Sequence, residues 1–304
     1  MASLREEIRF EGGNSFRLLR WDKGVNNVEV VLNPNRSVPL EGQGAHWHYH
    51  RAVELTFIQK GKGTRFLGDH IELFDSDDLV LIGSNVPHYW HMRGVSRGLS
   101  TQWEFPIEHG IWNFAESALL TKMFESARRG LQILGATGEN TRRRLEQLPS
   151  LAGLARLAVF LQILDGLSCA PSTDLRPLSQ QPFSLSGSAE QQEAIRRAVS
   201  YILANYRGTV NLSELLHLTG MSRATFTREF RRHAGRPFST FLNGVRLQAV
   251  CRALGETTEL VGNIAMDHGF NQLSFFNRLF RREIGVNPSV YRANRRQEQN
   301  MGTT

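Results

Sequence analysis

The chain has 304 residues, 40% of them hydrophobic, with 27 glycines, 10 prolines and two cysteines. That is ordinary globular composition and more than one average domain. No apolar run approaches the roughly 20 residues that cross a bilayer, no apolar core follows the opening MASLREEIRFEGG, and Cys169 and Cys251 are too far apart for a disulfide framework. Transmembrane and disulfide-stapled classes are thereby excluded, and a cytoplasmic protein without a membrane partner is expected. The net charge of +7 is unevenly placed: residues 1–187 carry 20 Lys+Arg and 20 Asp+Glu, residues 188–304 carry 16 against 9, and all 16 are arginine. Guanidinium forks suit phosphates and guanine edges.

The first part of the chain reads as strands. VEVVL (28–32), VELTFI (53–58), TRFLG (64–68) and DLVLI (78–82) are separated by Gly, Asn, Asp and Pro, the pattern of a β-sandwich or barrel. From Ile111 the apolar period becomes three and four, predicting helices over 113–129, 140–148 and 151–167. In the last of these, Leu151, Leu154, Leu157, Ala158, Leu161 and Leu164 form one apolar stripe, read first as core and second as a partner-helix seam. Residues 168–188, SCAPSTDLRPLSQQPFSLSGS, read as a linker. Helical pattern then runs from 189 to 296, and QEQNMGTT (297–304) reads as a flexible tail.

The C-terminal part repeats itself. 212-LSELLHLTGMSRATFTREFRRHAGRPFSTF-241 aligns with 261-VGNIAMDHGFNQLSFFNRLFRREIGVNPSVY-291. The offset is 49 up to Met221/Phe270 and 50 beyond it, pairing Phe226/Phe276, Phe230/Phe280 and Phe241/Tyr291. Each copy reads as a short helix closed by glycine, an apolar residue, a polar N-cap (Ser222, Asn271) and a second helix. Asn211 and Glu214 predict a capping box before the first copy. Such a unit is a helix-turn-helix, whose second helix enters the major groove with its N-terminal residues on base edges. The helix between the copies, LNGVRLQAVCRALGE (242–256), would hold the two readers about one DNA turn (~34 Å) apart.

With Arg246-Leu247 and Ala253-Leu254 in the joining helix and Gly285, Pro288, Tyr291 and Arg292 at the end, residues 190–294 resemble the AraC/XylS transcription regulators. The resemblance implies base contacts on the outward side of both recognition helices. Here these are Ala224, Thr227 and Arg228 in the first, and Leu273, Ser274, Asn277 and Arg278 in the second, with Arg223, Thr225 and Gln272 beside them. Arg228 and Arg278 suit guanine, Asn277 suits adenine, and Arg231 and Arg281 suit phosphates. Leu216 departs from the small alanine of the family's first scaffold helix, and Gly262 and Asn263 weaken the start of the second.

Near the other end, 46-HWHYHRAVE-54 holds three histidines and a glutamate. His48, His50 and Glu54 share strand parity and can face one side. Gly42, His48, His50, Glu54 and Gly61 have the spacing of the first cupin motif, and His88 falls where the second motif adds a ligand. Two imidazoles and a carboxylate are a common divalent-metal set. The second motif is altered, with Asp77, Gly83, Asn85 and Met92 in place of its glycine, proline, glycine and asparagine. His46 is read as a bystander, and Trp90 as an aromatic that either stacks on a sugar ring in the pocket or fills the barrel core.

The expected protein is α+β and multidomain: a cupin-like β-barrel or jelly roll (1–110), a helical dimerisation segment (111–167), a linker (168–188), two helix-turn-helix units (189–296) and a tail. Its expected function is sequence-specific transcription regulation, without catalysis. A small effector, a sugar or sugar derivative, would bind at His48, His50, Glu54, His88 and Trp90. Expected partners are double-stranded DNA, that effector, RNA polymerase and a second copy of the chain. No cofactor is required, but a divalent metal on His48, His50, Glu54 and His88 is left open. The alternative is a metal-dependent cupin dioxygenase or isomerase fused to a helical domain.

Overall fold

The computed structural model describes residues 6–10, 14–24, 27–40, 46–180, 182–183 and 188–301, with side chains to 298. The chain divides into two units, Met1–Ser188 and Ala189–Thr304.

In the first unit β1 (Arg17–Asp22), β2 (Val28–Asn33), β3 (Arg36–Leu40), β4 (Val53–Leu67), β5 (His70–Phe74), β6 (Asp78–Ile82) and β7 (His88–Trp103) precede α1 (Ala118–Ala127). Then come β8 (Leu131–Ile133), α2 (Gly135–Gln147), α3 (Gly153–Ser168) and β9 (Leu175–Pro177). The sheet is antiparallel in the order β3-β2-β1-β7-β4-β6-β8-β9, with β5 paired to β4. VELTFI and TRFLG, read as two strands, are the two ends of β4, joined through register shifts between Ile58 and Lys62.

Strand parity builds two cores. Leu18, Val53, Leu55, Phe57, Leu79, Leu81 and Leu99 point to one face, where α1, α2 and α3 pack. Their neighbours Leu19, Trp21, Ile58, Val80 and Ile82 point to the other. Polar Glu54, Thr56, Ser100 and Gln102 share that second parity, so the sequence places a polar patch on an apolar inner face. At Gly98 a Cβ would stand 2.3 Å from the Trp21 ring, so glycine is what lets that indole lie across β7.

Three expectations for this unit need correction. Residues 111–167 are not purely helical, because Leu131–Ile133 alternates buried, half-buried, buried and adds to β6. The leucine stripe of α3 is only partly the core face: Leu164 and Leu157 join the core, but Leu154 and Leu161 do not. Arg156, Phe160, Ile163, Leu164 and Leu167 are buried, whereas Leu154 and Leu161 are 83% and 44% exposed. Phe160 stacks on Phe16 at 4.0 Å and meets Trp103 edge-on, while Arg156 donates to Val31 O and Leu32 O, and together these set the rotation of the helix. The linker is not free chain throughout. β9 pairs with β8, and Leu178 and Phe183 are buried in the inner core; residues 181 and 184–187 lie outside the description.

The second unit comprises α4 (Ala189–Asn205), α5 (Leu212–Thr219), α6 (Arg223–Ala234), α7 (Phe238–Glu256), α8 (Val261–Asp267), α9 (Leu273–Ile284) and α10 (Pro288–Met301). α5–α6 and α8–α9 are the two predicted helix pairs. Gly220 (φ 67°) and Gly269 (φ 88°) take the left-handed turn that glycine favours. Ser222 Oγ accepts from Thr225 N, and Asn211 N donates to Glu214 Oε2 at 3.2 Å. In the second copy the N-cap is Gln272, not Asn271. The repeat extends to packing. Phe230–Phe241 and Phe280–Tyr291 meet edge-on at 5.6 and 5.8 Å, both with 79° between planes. The predicted tail is helical as far as Met301, helped by an Arg295–Glu298 pair at 3.1 Å; residues 302–304 lie outside the description.

Candidate effector pocket and DNA-reading face

Three histidines meet because β4, β7 and the segment before β4 converge: His48 and His88 form a bridge, and Glu54 pairs with Gln102 across β4 and β7. Each ring has Nδ1 at 2.8 Å from a backbone carbonyl: His46 O, Ala52 O and Val86 O respectively for His48, His50 and His88. A carbonyl only accepts, so each Nδ1 carries a proton, which leaves Nε2 as the ring nitrogen free to meet the other groups of the cluster. The ligand nitrogens of the three lie within 4.8 Å of one another, all buried. Glu54 Oε2 stands 2.9 Å from His50 Nε2 and 3.7 Å from His88 Nε2. Two acceptors at 2.9 Å require a proton or another cation between them.

Burial works against the charge of Glu54, but the His50 and His88 imidazoles outweigh it and hold the carboxyl well below the usual carboxylate range. Burial also pushes His48 down, towards the neutral ring. Gln102 Nε2 donates to Glu54 Oε2 at 2.7 Å, and Arg17 fixes that amide by donating to Gln102 Oε1 at 2.9 and 2.6 Å. Thr56 Oγ1 donates to Glu54 Oε1. His88 Nε2 is buried without a hydrogen-bond partner among the described residues. The polar floor opens on a cavity of about 60 Å³, walled by Leu19, Trp21, Val28, Ile58, Trp90 and Met92.

The sequence motif therefore assembled His48, His50, Glu54, His88 and Trp90 at one place, and His46 contributes its carbonyl. The altered second motif keeps its backbone. Asp77 (φ 66°) and Asn85 (φ 61°), standing where the motif has glycine, adopt the left-handed conformation that Asp and Asn tolerate best after glycine. Gly42 lies outside the described residues. Sequence reasoning missed Gln102 and Glu6, whose carboxylate lies 3.8 Å from His48 Nε2. Gln102 was discoverable from its parity with Ser100 in an otherwise apolar strand end; nothing in the sequence pointed to Glu6.

In the second unit, the predicted readers sit on the outer faces of α6 and α9. Phe226, Phe230, Phe276 and Phe280 are buried, and Arg223, Ala224, Thr227, Arg228, Arg231, Gln272, Leu273, Ser274, Asn277, Arg278 and Arg281 are exposed. Thr225 differs: it is half-buried and engaged with the Ser222 cap through both its N and its Oγ1. Arg228 is exposed, but its Nε donates to the buried Glu229 at 3.0 Å.

A helix-turn-helix domain model matches residues 215–294, spanning both helix pairs. Over 263 residues the chain is 21% identical to the HTH-type transcriptional activator RhaS of Pectobacterium atrosepticum, covering 81% of this chain and 86% of that protein. The second unit thus carries a helix-turn-helix domain, and the chain is similar to DNA-binding transcriptional regulators. An uncharacterised HTH-type transcriptional regulator of Haemophilus influenzae is 32% identical over 104 residues, 34% of this chain and 35% of that protein. A Chromobacterium violaceum transcriptional regulator with an AraC-type DNA-binding domain is 25% identical over 36% of this chain and 96% of the solved chain, with a TM-score of 0.33. These relatives are named as transcriptional regulators. No helix among the described residues is long and apolar enough to cross a membrane.

Proposed function

We propose that this regulator senses a small polyhydroxylated effector, a sugar or sugar derivative, in the pocket of its first unit. The observation that carries the reading is the floor itself: Glu54, Glu6 and three imidazole Nε2 atoms offer acceptors, few groups donate, and Trp21 and Trp90 form the walls. Hydroxyl groups would supply the missing donors, and a ring's apolar face would lie on indole. Effector binding would act by population shift, through unequal affinity for two arrangements of the protein. A second copy of the chain, with Leu154 and Leu161 of α3 in the seam, and RNA polymerase complete the expected assembly. The base-reading roles are those of Ala224, Thr227, Arg228, Ser274, Asn277 and Arg278.

The test is selection of genomic fragments by the purified chain at physiological salt, followed by titration of the bound complexes with sugars. Expected are enriched fragments, a sugar that changes their affinity, and loss of that response in Trp90→Ala and Gln102→Ala. No enrichment over non-specific DNA sinks the DNA reading, and an unchanged response in both variants sinks the pocket.

One observation favours a second occupant of the same floor. Three convergent lone pairs, one of them on the orphaned His88 Nε2, fit a divalent cation held by His48, His50, His88 and Glu54. Nδ1-to-carbonyl hydrogen bonds already set the ring orientations such a site needs. Such a cation would supply positive charge for the oxygens of an effector. Metal analysis after metal-supplemented expression decides this: about one equivalent, lost in His88→Ala and Glu54→Gln, is expected. Substoichiometric metal in the parent chain rejects it.

A further inference from the structure

We propose that α9 reads the C5-methyl groups of thymine through Leu273 and Phe275, where α6 has the polar Arg223 and Thr225, so that the two recognition helices require chemically unlike half-sites. This rests on the DNA-binding reading and specifies its target.

The two helix pairs repeat in backbone and core but not at the start of the second helix. α6 opens with Arg223, and α9 opens with Leu273 in the same place. Thr225, half-buried in its cap, has Phe275 as its counterpart. Leu273 is 43% exposed and Phe275 38%, so both present apolar surface at the helix end that meets base edges.

Neither side chain hangs free. The Leu273 methyls lie 3.4 and 3.8 Å from where a Cβ of Gly262 would stand, so that glycine seats the leucine against α8. The counterpart of Gly262 in the first pair is Ser213, where no leucine needs a seat. The Phe275 ring packs on Phe270, 6.5 Å between centroids. Two propped, half-exposed apolar groups lose little conformational freedom on binding. In the major groove the apolar feature of a base edge is the thymine methyl. Exposed Arg278 and Arg281 on the same helix supply the cations that bring a polyanion to it.

The test uses the full chain and duplex sites selected from random sequence. Each thymine of the selected site is replaced in turn by deoxyuridine, which keeps the hydrogen-bonding edge and removes only the methyl. At one or two positions the affinity should fall about three- to fivefold, the size of one buried methyl. Leu273→Ala or Phe275→Ala should bind the thymine and uracil forms of those positions equally, with a melting transition like that of the parent chain. Arg223→Ala should keep the methyl sensitivity. The proposal is overturned if uracil is neutral at every position, or if both Leu273→Ala and Phe275→Ala retain the full methyl effect. Failure to select any site would overturn the DNA reading beneath it.

Discussion

Arg176 Nη2 lies 2.7 Å from Glu72 Oε2, tying the segment that leaves the first unit to β5. The same oxygen lies 3.3 Å from Arg65 Nη2, and Arg65 Nη1 donates to Asp78. Asp78 Oδ2 in turn accepts from Trp90 Nε1 at 3.4 Å, and Oδ1 accepts from Gln132 Nε2 of β8 at 3.0 Å. A continuous polar chain thus links Trp90, a wall of the candidate pocket, to residues 175–177. Polar residues buried in such a chain are stable only while every partner is present.

The outer end of that chain should titrate in acid. Burial opposes the charge of Glu72, but hydrogen bonds from His70 and Arg176 outweigh it and bring its carboxyl down to about 2. A lowered carboxyl stabilises the fold above its ordinary value of 4.5, and the contribution disappears as pH falls from there towards 2. Because Glu72 is 39% exposed, the effect should stay within about 1 kcal/mol. All five tryptophans lie in the first unit, so their fluorescence follows its unfolding alone. Glu72→Gln should flatten the acid limb of the denaturation midpoint; an unchanged limb would show that the carboxylate is not linked to folding.

The buried end should respond far more strongly. Arg65 is 1% exposed as a side chain and Asp78 3%. Asp78→Ala leaves a buried guanidinium short of its main partner, which typically costs about 3–5 kcal/mol. Asp78→Asn keeps one acceptor oxygen, for either Trp90 or Gln132, and should lose less. Equal midpoints for the two variants in denaturant would contradict a charge-based account of Asp78.

The DNA-reading arginines should separate by chemistry. Arg278→Ala is expected to cost about 1–3 kcal/mol and to relax preference at one base pair. Arg228→Ala should lose less discrimination, since Glu229 already engages its Nε. Arg231→Ala should weaken all sequences alike and lower the salt-dependence slope by about one. Binding isotherms at several salt concentrations, on the selected site and its single-base variants, distinguish these outcomes; a uniform loss for Arg278→Ala would move that residue to the phosphates.

How much of this was visible in the sequence depends on whether the signal was local. Parity placed His48, His50 and Glu54 together, and the repeat placed Phe226, Phe230, Phe276 and Phe280 inside, because both signals lie within one element. DLVLI matched β6 residue for residue. The stripe on α3 misled because aromatic partners distant in sequence, Phe16 and Trp103, chose the buried face. Proline-rich 168–183 hid β9, since three residues joining an existing edge need no periodicity of their own. Changes at Asp77 and Asn85 looked like decay of a glycine motif, yet the backbone requirement persisted through the two residue types that best meet it.

The repeat also exposes a position where the first unit departs from the second. Glu229 is 1% exposed and sits where the second copy has Leu279, itself 5% exposed. Its carboxylate is held by Arg232 Nη1 at 2.9 Å and Arg228 Nε at 3.0 Å, both arginines reaching it from more exposed positions. Replacing a buried charge by an apolar side chain of similar volume is often neutral or stabilising, provided no partner is left buried and charged. Here the partners can turn to water, with side chains 35% and 61% exposed already. Glu229→Leu should therefore melt at or above the parent chain by far-UV circular dichroism, which follows the helical unit. Glu229→Ala, which removes the carboxylate and leaves a cavity, should melt below it. Glu229→Leu should also release Arg228 and raise affinity for non-specific DNA, with a steeper salt slope. If Glu229→Leu instead destabilises as much as Glu229→Ala, the carboxylate is required by the fold of α6, and the two copies are not interchangeable in their cores.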